Sequence, residues 1–335
     1  MEKRILLLTT GGTIASTQTK RGLAPGLGAE ELLEELRDIL PCCTMDTREV
    51  CSLDSTNMTW REWLLLAEMI REAYEAYDGF VITHGTDTMA YTAGALSYLI
   101  QNSPKPIVLT GAQKPIHMEI TDAKSNLRDA VIYTLDERSA GVQILFNGQV
   151  IAGTRAKKVR SFSFDAFSSI NYPPLAAVQD GRILRYIEMP KPQESPVFYD
   201  RLNPKVFLLK LTPGIRTEIL EAVFQAYDCI IVESFGVGGI PDSMADDLFA
   251  ILSRYQPGEK ILVMTTQVTY EGSNVGVYEV GQRLRERFPL LEARDMTLEA
   301  VLAKMMWILG QRPSGFEEIE NLFYKRIGYD TVLSP

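Results

Sequence analysis

Histidine is nearly missing from this chain: His84 and His117 are the two among 335 residues. Cysteine is scarce as well, with Cys42, Cys43, Cys51 and Cys229 and no Cys-x-x-Cys pair. So few thiol and imidazole ligands give a zinc site no basis. The cysteines read as reduced, structural thiols of a cytosolic protein. Long apolar runs are absent too. Lys3 and Arg4 imitate the basic flank of an export signal, but the apolar run at residues 5–8 is far short of the roughly seven to fifteen residues such a signal needs. No stretch approaches the ~18 apolar residues of a membrane span. Excess positive charge is missing: 34 Lys and Arg stand against 43 Asp and Glu, a formal net charge of −9. That balance argues against nucleic acid and against a membrane surface as partners. The expected location is the cytoplasm.

Several chemical signatures are missing as well. The chain has no G-x-x-x-x-G-K-[ST], no G-x-S-x-G and no H-E-x-x-H. Gly236-Val237-Gly238-Gly239-Ile240-Pro241 has Pro241 where a dinucleotide fingerprint needs its third glycine, and it reads as a plain strand-to-helix loop. His84, at the end of an apolar run, reads as a histidine held by backbone hydrogen bonds. Without a working histidine, a nucleophile needs another activator. One solution is a hydroxyl polarised by a lysine whose charge is depressed by burial or by its neighbours. Arg155-Ala156-Lys157-Lys158-Val159-Arg160 offers such lysines, although a basic run of this kind is ordinarily a solvated face.

What the chain does have is alternation. Short apolar runs at 5–9, 79–83, 106–110 and 141–146 read as strands, and amphipathic stretches at 29–40, 60–77, 90–101 and 122–135 read as helices. Leu32, Leu33, Leu36 and Leu40 share one face of the first helix. Thr59 and Glu62 stand in capping-box spacing at the start of the second. Between 186 and 204 the pattern lapses, and Pro190, Pro192, Pro196 and Pro204 mark a linker. It resumes with strands at 206–211, 229–233 and 261–265 and helices at 218–227, 246–255, 297–309 and 316–324. The expected fold is α/β: a larger N-terminal, doubly wound, mostly parallel sheet over 1–185, and a smaller C-terminal parallel α/β domain over 205–335.

Ligands of such sheets bind where the strands' carboxyl ends meet loops. Three of those loops carry glycine and small polar residues: Thr10-Gly11-Gly12-Thr13, His84-Gly85-Thr86-Asp87-Thr88 and Gly111-Ala112-Gln113. Each has an ordinary reading. Glycines serve tight turns, and Thr and Asp before a helix are common caps. Their shared position at strand ends makes one site from all three the stronger reading.

These residues resemble a known family, the bacterial-type L-asparaginases, and within it the cytoplasmic type I branch. Thr10-Gly11-Gly12-Thr13-Ile14-Ala15 is similar to the family's first active-site signature and His84-Gly85-Thr86-Asp87-Thr88-Met89 to its second. Thr110-Gly111-Ala112-Gln113, the segment Gly153-Thr154-Arg155-Ala156-Lys157-Lys158 with Phe164-Asp165-Ala166-Phe167, and Asp295-Met296-Thr297 resemble further family blocks. The resemblance covers essentially the whole chain.

It implies an amidohydrolase that converts L-asparagine to L-aspartate and ammonia, with possible weak activity on glutamine. Thr13 is then the nucleophile, and Thr86, Lys158 and Asp87 form a second catalytic group. Asp87 also meets the substrate's α-ammonium, Ser55 and Thr56 its α-carboxylate, and the backbone at Ala112 its carboxamide. No metal and no cofactor are implied, and the expected assembly is a homodimer or homotetramer. The sequence departs from relatives at Leu23, where many have a loop tyrosine, at Gly239, where some have an intersubunit asparagine, and at Val268 and Lys157, which stand in an allosteric asparagine site of some type I enzymes. Two other functions compete. One is the ammonia-generating subunit of a tRNA-dependent amidotransferase, which the position of the first signature near the start of the chain disfavours. The other is a catalytically silent amino-acid-binding protein.

Overall fold

Leu6, Leu7 and Leu8 are all fully buried. Successive strand residues point to opposite faces, so this strand is covered on both sides. It is β1 (Lys3–Gly11) in a computed structural model that describes residues 2–19, 22–25, 28–37, 43–188 and 190–333. Contacts divide the chain into two units, Met1–Asp200 and Arg201–Pro335.

The first unit is built on an eight-stranded sheet. Its strands are β1, β2 (Cys43–Leu53), β3 (Gly79–Thr83), β4 (Pro106–Thr110), β5 (Gly141–Phe146), β6 (Gln149–Ala152), and, after a hairpin of β7 (Ala156–Lys158) and β8 (Phe167–Ser169), β9 (Ala176–Gln179) and β10 (Arg182–Arg185). The order across the sheet is β10-β9-β6-β5-β4-β3-β1-β2. Strands β1 to β5 pair in parallel, and β6, β9 and β10 continue the sheet antiparallel. The parallel part runs 2-1-3-4-5, so chain order reverses between β1 and β3. That reversal is a topological switch point, the place where open α/β sheets hold ligands.

Four helices serve this sheet: α1 (Ala29–Arg37), α2 (Trp60–Ala73), α3 (Met89–Leu99) and α4 (Ala123–Leu135). They pair as α1 with α4 and α2 with α3. The capping box of α2 forms as its spacing predicts, with Thr59 N–H donating to Glu62 Oε2 at 2.7 Å. Of the expected 29–40 helix, 38–40 lie outside the described residues, as do the side chains of Leu36 and Leu40; Leu32 is fully buried. The helix expected over 60–77 is α-helical to Ala73 and finishes in a 3₁₀ turn at Tyr74–Ala76.

Strand β2 is the main element the periodicity does not predict. Cys43–Leu53 is rich in polar residues and none of it is buried, because an edge strand pairs on one side and needs no apolar face.

The second unit carries four parallel strands in simple order: β11 (Val206–Lys210), β12 (Cys229–Ser234), β13 (Ile261–Thr266) and β14 (Leu291–Glu292). Its helices are α5 (Ile219–Ala226), α6 (Asp242–Leu252), α7 (Glu279–Arg287), α8 (Leu298–Gly310) and α9 (Phe316–Tyr324). Ile230, Val232, Leu248 and Met264 are core residues of this unit. Helix α7, also unpredicted, is charged along most of its length and buries Gly281 and Leu284 alone. The Gly236–Gly239 stretch is a tight turn after β12, closed by mutual hydrogen bonds between Phe235 and Gly239. Lys304 and Asp330 form a fully buried ion pair at 2.6 Å. No helix among the described residues is long and apolar enough to cross a membrane.

Candidate active site

The loops leaving β1 and β3 meet through glycine. Gly11 and Gly12 hold φ +92° and +78°, in the left-handed region that a side chain disfavours. A Cβ on Gly12 would stand 2.5 Å from Gly85 Cα, and one on Gly85 would stand 2.6 Å from Ser55 Oγ. The Thr13 and Thr86 segments thereby stack backbone to backbone, and the Ser55 side chain packs on Gly85. Hydroxyls hold the stack in place: Thr10 donates to Thr83 O at 3.0 Å, Ser16 to Gly12 O at 2.9 Å and Thr88 to Ser55 O at 2.8 Å. The third loop joins through Ile116 N–H, which donates to Ile14 O at 3.2 Å.

His84 is buried completely and braces this arrangement. Trp63 Nε1–H donates to Thr92 Oγ1 at 2.9 Å, and Thr92 faces His84 Nε2 at 2.9 Å. Gly85 O can only accept, so Nδ1 carries the ring hydrogen and donates to it at 2.7 Å, and Nε2 of the neutral ring accepts from the Thr92 hydroxyl. Burial depresses the imidazole pKa to about 4, so it is neutral at ordinary pH. The backbone-held role expected for His84 is borne out, with a threonine added on the far side.

Lys158 ends β7 and reaches back to the β3 loop. Its Nζ donates to Thr86 Oγ1 and to Asp87 Oδ1, both at 2.7 Å. The lysine side chain is 18% exposed and that of Asp87 58%, so the ion pair opens to solvent on the carboxylate side. The structure thus brings Thr86, Asp87 and Lys158 into direct contact. The N-cap of α3 is Thr88, so Thr86 and Asp87 are not caps. The run 155–160 is solvated only at its end: Arg155 is fully buried, with its guanidinium over the Tyr172 ring, whereas Val159 and Arg160 are exposed.

The remaining expected residues take varied positions. Thr13 sits half-buried in the turn Thr13–Ala15. Among the described residues no hydrogen bond joins its hydroxyl to the Lys158 cluster. Ser55 is buried against Gly85, whereas Thr56 is exposed and its hydroxyl donates to Asp54 Oδ1 at 3.0 Å. Ala112 is fully buried just after β4. Leu23 belongs to a short strand, Gly22–Pro25, but its side chain lies outside the described ones. Lys157 pairs across the hairpin with Ser168, and Val268 is half exposed after β13. Among the described residues no group of three or more His, Cys, Asp or Glu is placed to hold a metal ion. Cys51 and Cys229 are free thiols, and burial pushes that of Cys51 up to about 11.

Two contacts escape any sequence signal. Thr92 lies a helix turn past the second signature, and nothing in the pattern predicts its bond to His84. Gln113 belongs to a quoted block, yet spacing does not reveal that its amide meets Thr86.

A doubly wound sheet with threonine, lysine and carboxylate groups gathered at its switch point defines an α/β enzyme. The chain belongs to the asparaginase family: residues 4–191 match the family described as asparaginase, N-terminal, and residues 205–323 the glutaminase/asparaginase C-terminal domain. It is 40% identical to the L-asparaginase of Thermococcus kodakarensis, over 97% of this chain and 98% of that protein. The solved structure of the thermostable L-asparaginase from the same organism superposes with a TM-score of 0.91 at 38% identity, over 99% of this chain and 100% of that one. A glutamyl-tRNA(Gln) amidotransferase component from Methanosphaera stadtmanae is 33% identical, over 99% of this chain but 78% of that protein.

Proposed function

We propose that this chain hydrolyses L-asparagine to L-aspartate and ammonia. The observation that carries the reading is Lys158 Nζ, 2.7 Å from both Thr86 Oγ1 and Asp87 Oδ1 beside the Thr13 turn. Thr13 Oγ attacks the side-chain carboxamide carbon, the C–N bond breaks, and the hydroxyl proton leaves with the departing nitrogen as ammonia. Water then adds to the acyl carbon, its hydroxide becoming part of the aspartate carboxylate while threonine regains its proton. Lys158 polarises Thr86 for the proton transfers. Asp87, open to solvent, meets the substrate's α-ammonium. Ser55 and Thr56 are neutral donors for its α-carboxylate, and Thr56 must give up its bond to Asp54 to serve. Ala112 brings the backbone to the carboxamide. The chain works in the cytoplasm as a homodimer or homotetramer. The 40% identity to an L-asparaginase, against 33% to an amidotransferase component, favours the free hydrolase over the tRNA-dependent alternative.

The test is direct. Purified protein given millimolar L-asparagine should release ammonia and aspartate in equal amounts; folded protein that releases neither would end this reading. The same assay with L-glutamine sets the side preference, since one methylene is worth only ~1–3 kcal/mol.

A further inference from the structure

The Thr86 hydroxyl has two neighbours. Its oxygen accepts from Lys158 Nζ at 2.7 Å, and its hydrogen goes to Gln113 Oε1 at 3.2 Å. The other end of the Gln113 amide is also occupied, with Nε2 donating to Ser163 O at 3.1 Å. That contact fixes the amide's orientation: flipped, it would set its oxygen against the Ser163 carbonyl.

The stem of Gln113 is held separately. Its N–H donates to both oxygens of the buried Asp122, at 3.1 and 2.9 Å, and the Lys114 N–H adds a third bond at 3.1 Å. Asn126 ties the same carboxylate to Gly111 O. Ser163 lies in the turn between β7 and β8, which Arg160 and Asp165 close with an ion pair at 2.8 Å. One glutamine therefore touches both Thr86 and the hairpin that presents Lys158.

We infer that Gln113 is a positioning residue for the reaction. It takes the Thr86 hydroxyl hydrogen, so that a lone pair of that oxygen stays on Lys158 Nζ, and it anchors the lysine's hairpin at the same point. The inference rests on the amidohydrolase reading and deepens it. Without an acceptor, the hydroxyl turns among its staggered positions and spends part of its time with hydrogen facing Nζ.

The test compares wild type, Gln113→Met, Gln113→Leu, Gln113→Glu and Thr86→Ala by kcat, KM and thermal melting near pH 8. Methionine and leucine remove the acceptor, and glutamate returns one. Gln113→Met and Gln113→Leu should each lower kcat about tenfold or more, with KM within about threefold of wild type, and Gln113→Glu should recover most of the loss. If an acceptor-free variant that melts like wild type keeps its kcat, if the damage falls on KM alone, or if Gln113→Glu is as slow as Gln113→Met, the inference is overturned. Should either acceptor-free variant not fold, the other decides. Thr86→Ala separates the two levels. Full activity there removes Thr86 from the mechanism and the inference with it, whereas an inactive Thr86→Ala beside a fast Gln113→Met removes the inference alone.

Discussion

Thr92 Oγ1 stands 2.9 Å from His84 Nε2 and donates to it, matching the tautomer that Gly85 O demands of the other ring nitrogen. The consequence reaches the second signature loop, because the protonated Nδ1 grips Gly85 O, one residue before Thr86. Thr92→Val removes the donor, leaves two buried groups unpaired and should cost about 1–3 kcal/mol in urea denaturation. An unchanged unfolding midpoint would show that the threonine holds nothing.

His84 also makes stability depend on pH. Its folded pKa of about 4 lies below the ordinary 6.5. Above pH 6.5 the ring is neutral in both states. Between 6.5 and 4 the unfolded chain binds a proton that the folded chain refuses, so stability falls as pH drops, by up to roughly 3 kcal/mol from this group. Denaturation midpoints measured from pH 7 to pH 4 should fall more steeply for wild type than for His84→Asn.

Asp129 works in the opposite sense. Burial raises its carboxyl to about 6. At pH 7 the folded protein holds a poorly solvated charge that the unfolded chain hydrates freely. Asp129→Asn should therefore stabilise at pH 7 by about 1 kcal/mol after allowing for partial exposure, with the gain fading between about pH 6 and pH 4 and absent below. A pH-independent difference would assign the effect to packing.

Thr13→Ala, Thr86→Ala and Lys158→Met should each lower kcat by roughly 10²–10⁴-fold while circular dichroism stays that of the wild type. Lys158→Arg should rescue little, because a planar guanidinium does not reproduce a compact ammonium that serves two oxygens. Activity near wild type in any of the three would strike that residue from the mechanism.

In the second unit, Lys304→Met should destabilise by about 3–5 kcal/mol, since it removes the ammonium that balances the buried Asp330 carboxylate. Adding Asp330→Leu should recover part of that loss. Calorimetry of both variants decides it: a double variant no better than the single one would contradict the ion-pair account.

Sequence pattern carried much of this molecule and failed in understandable places. Gly79–Thr83, Pro106–Thr110 and Gly141–Phe146 were legible to the residue because parallel strands covered on both faces must be apolar throughout. Strand β2 was hidden because an edge strand has no such demand, and α7 because its charged surface leaves two buried positions. The glycine-hydroxyl loops announced a site, since hydroxyls around paired glycines exceed what a turn needs. The partners did not announce themselves. Family resemblance grouped Lys158 with Thr86, but the hairpin that brings them together by folding back over the sheet, and the contact of Gln113 with the same hydroxyl, leave no trace in residue spacing.

The contact between Gly12 and Gly85 has a consequence for how the molecule forms. Thr10 and Thr83 are 73 positions apart in the chain, and Lys158 and Thr86 are 72. No local stretch can therefore contain a working site; it exists only once β1 and β3 lie side by side and the β7 hairpin has closed. Pairings this distant form late, because loop closure must precede them. During refolding, helical signal should return before turnover does, which makes turnover itself a clock for completion of the sheet.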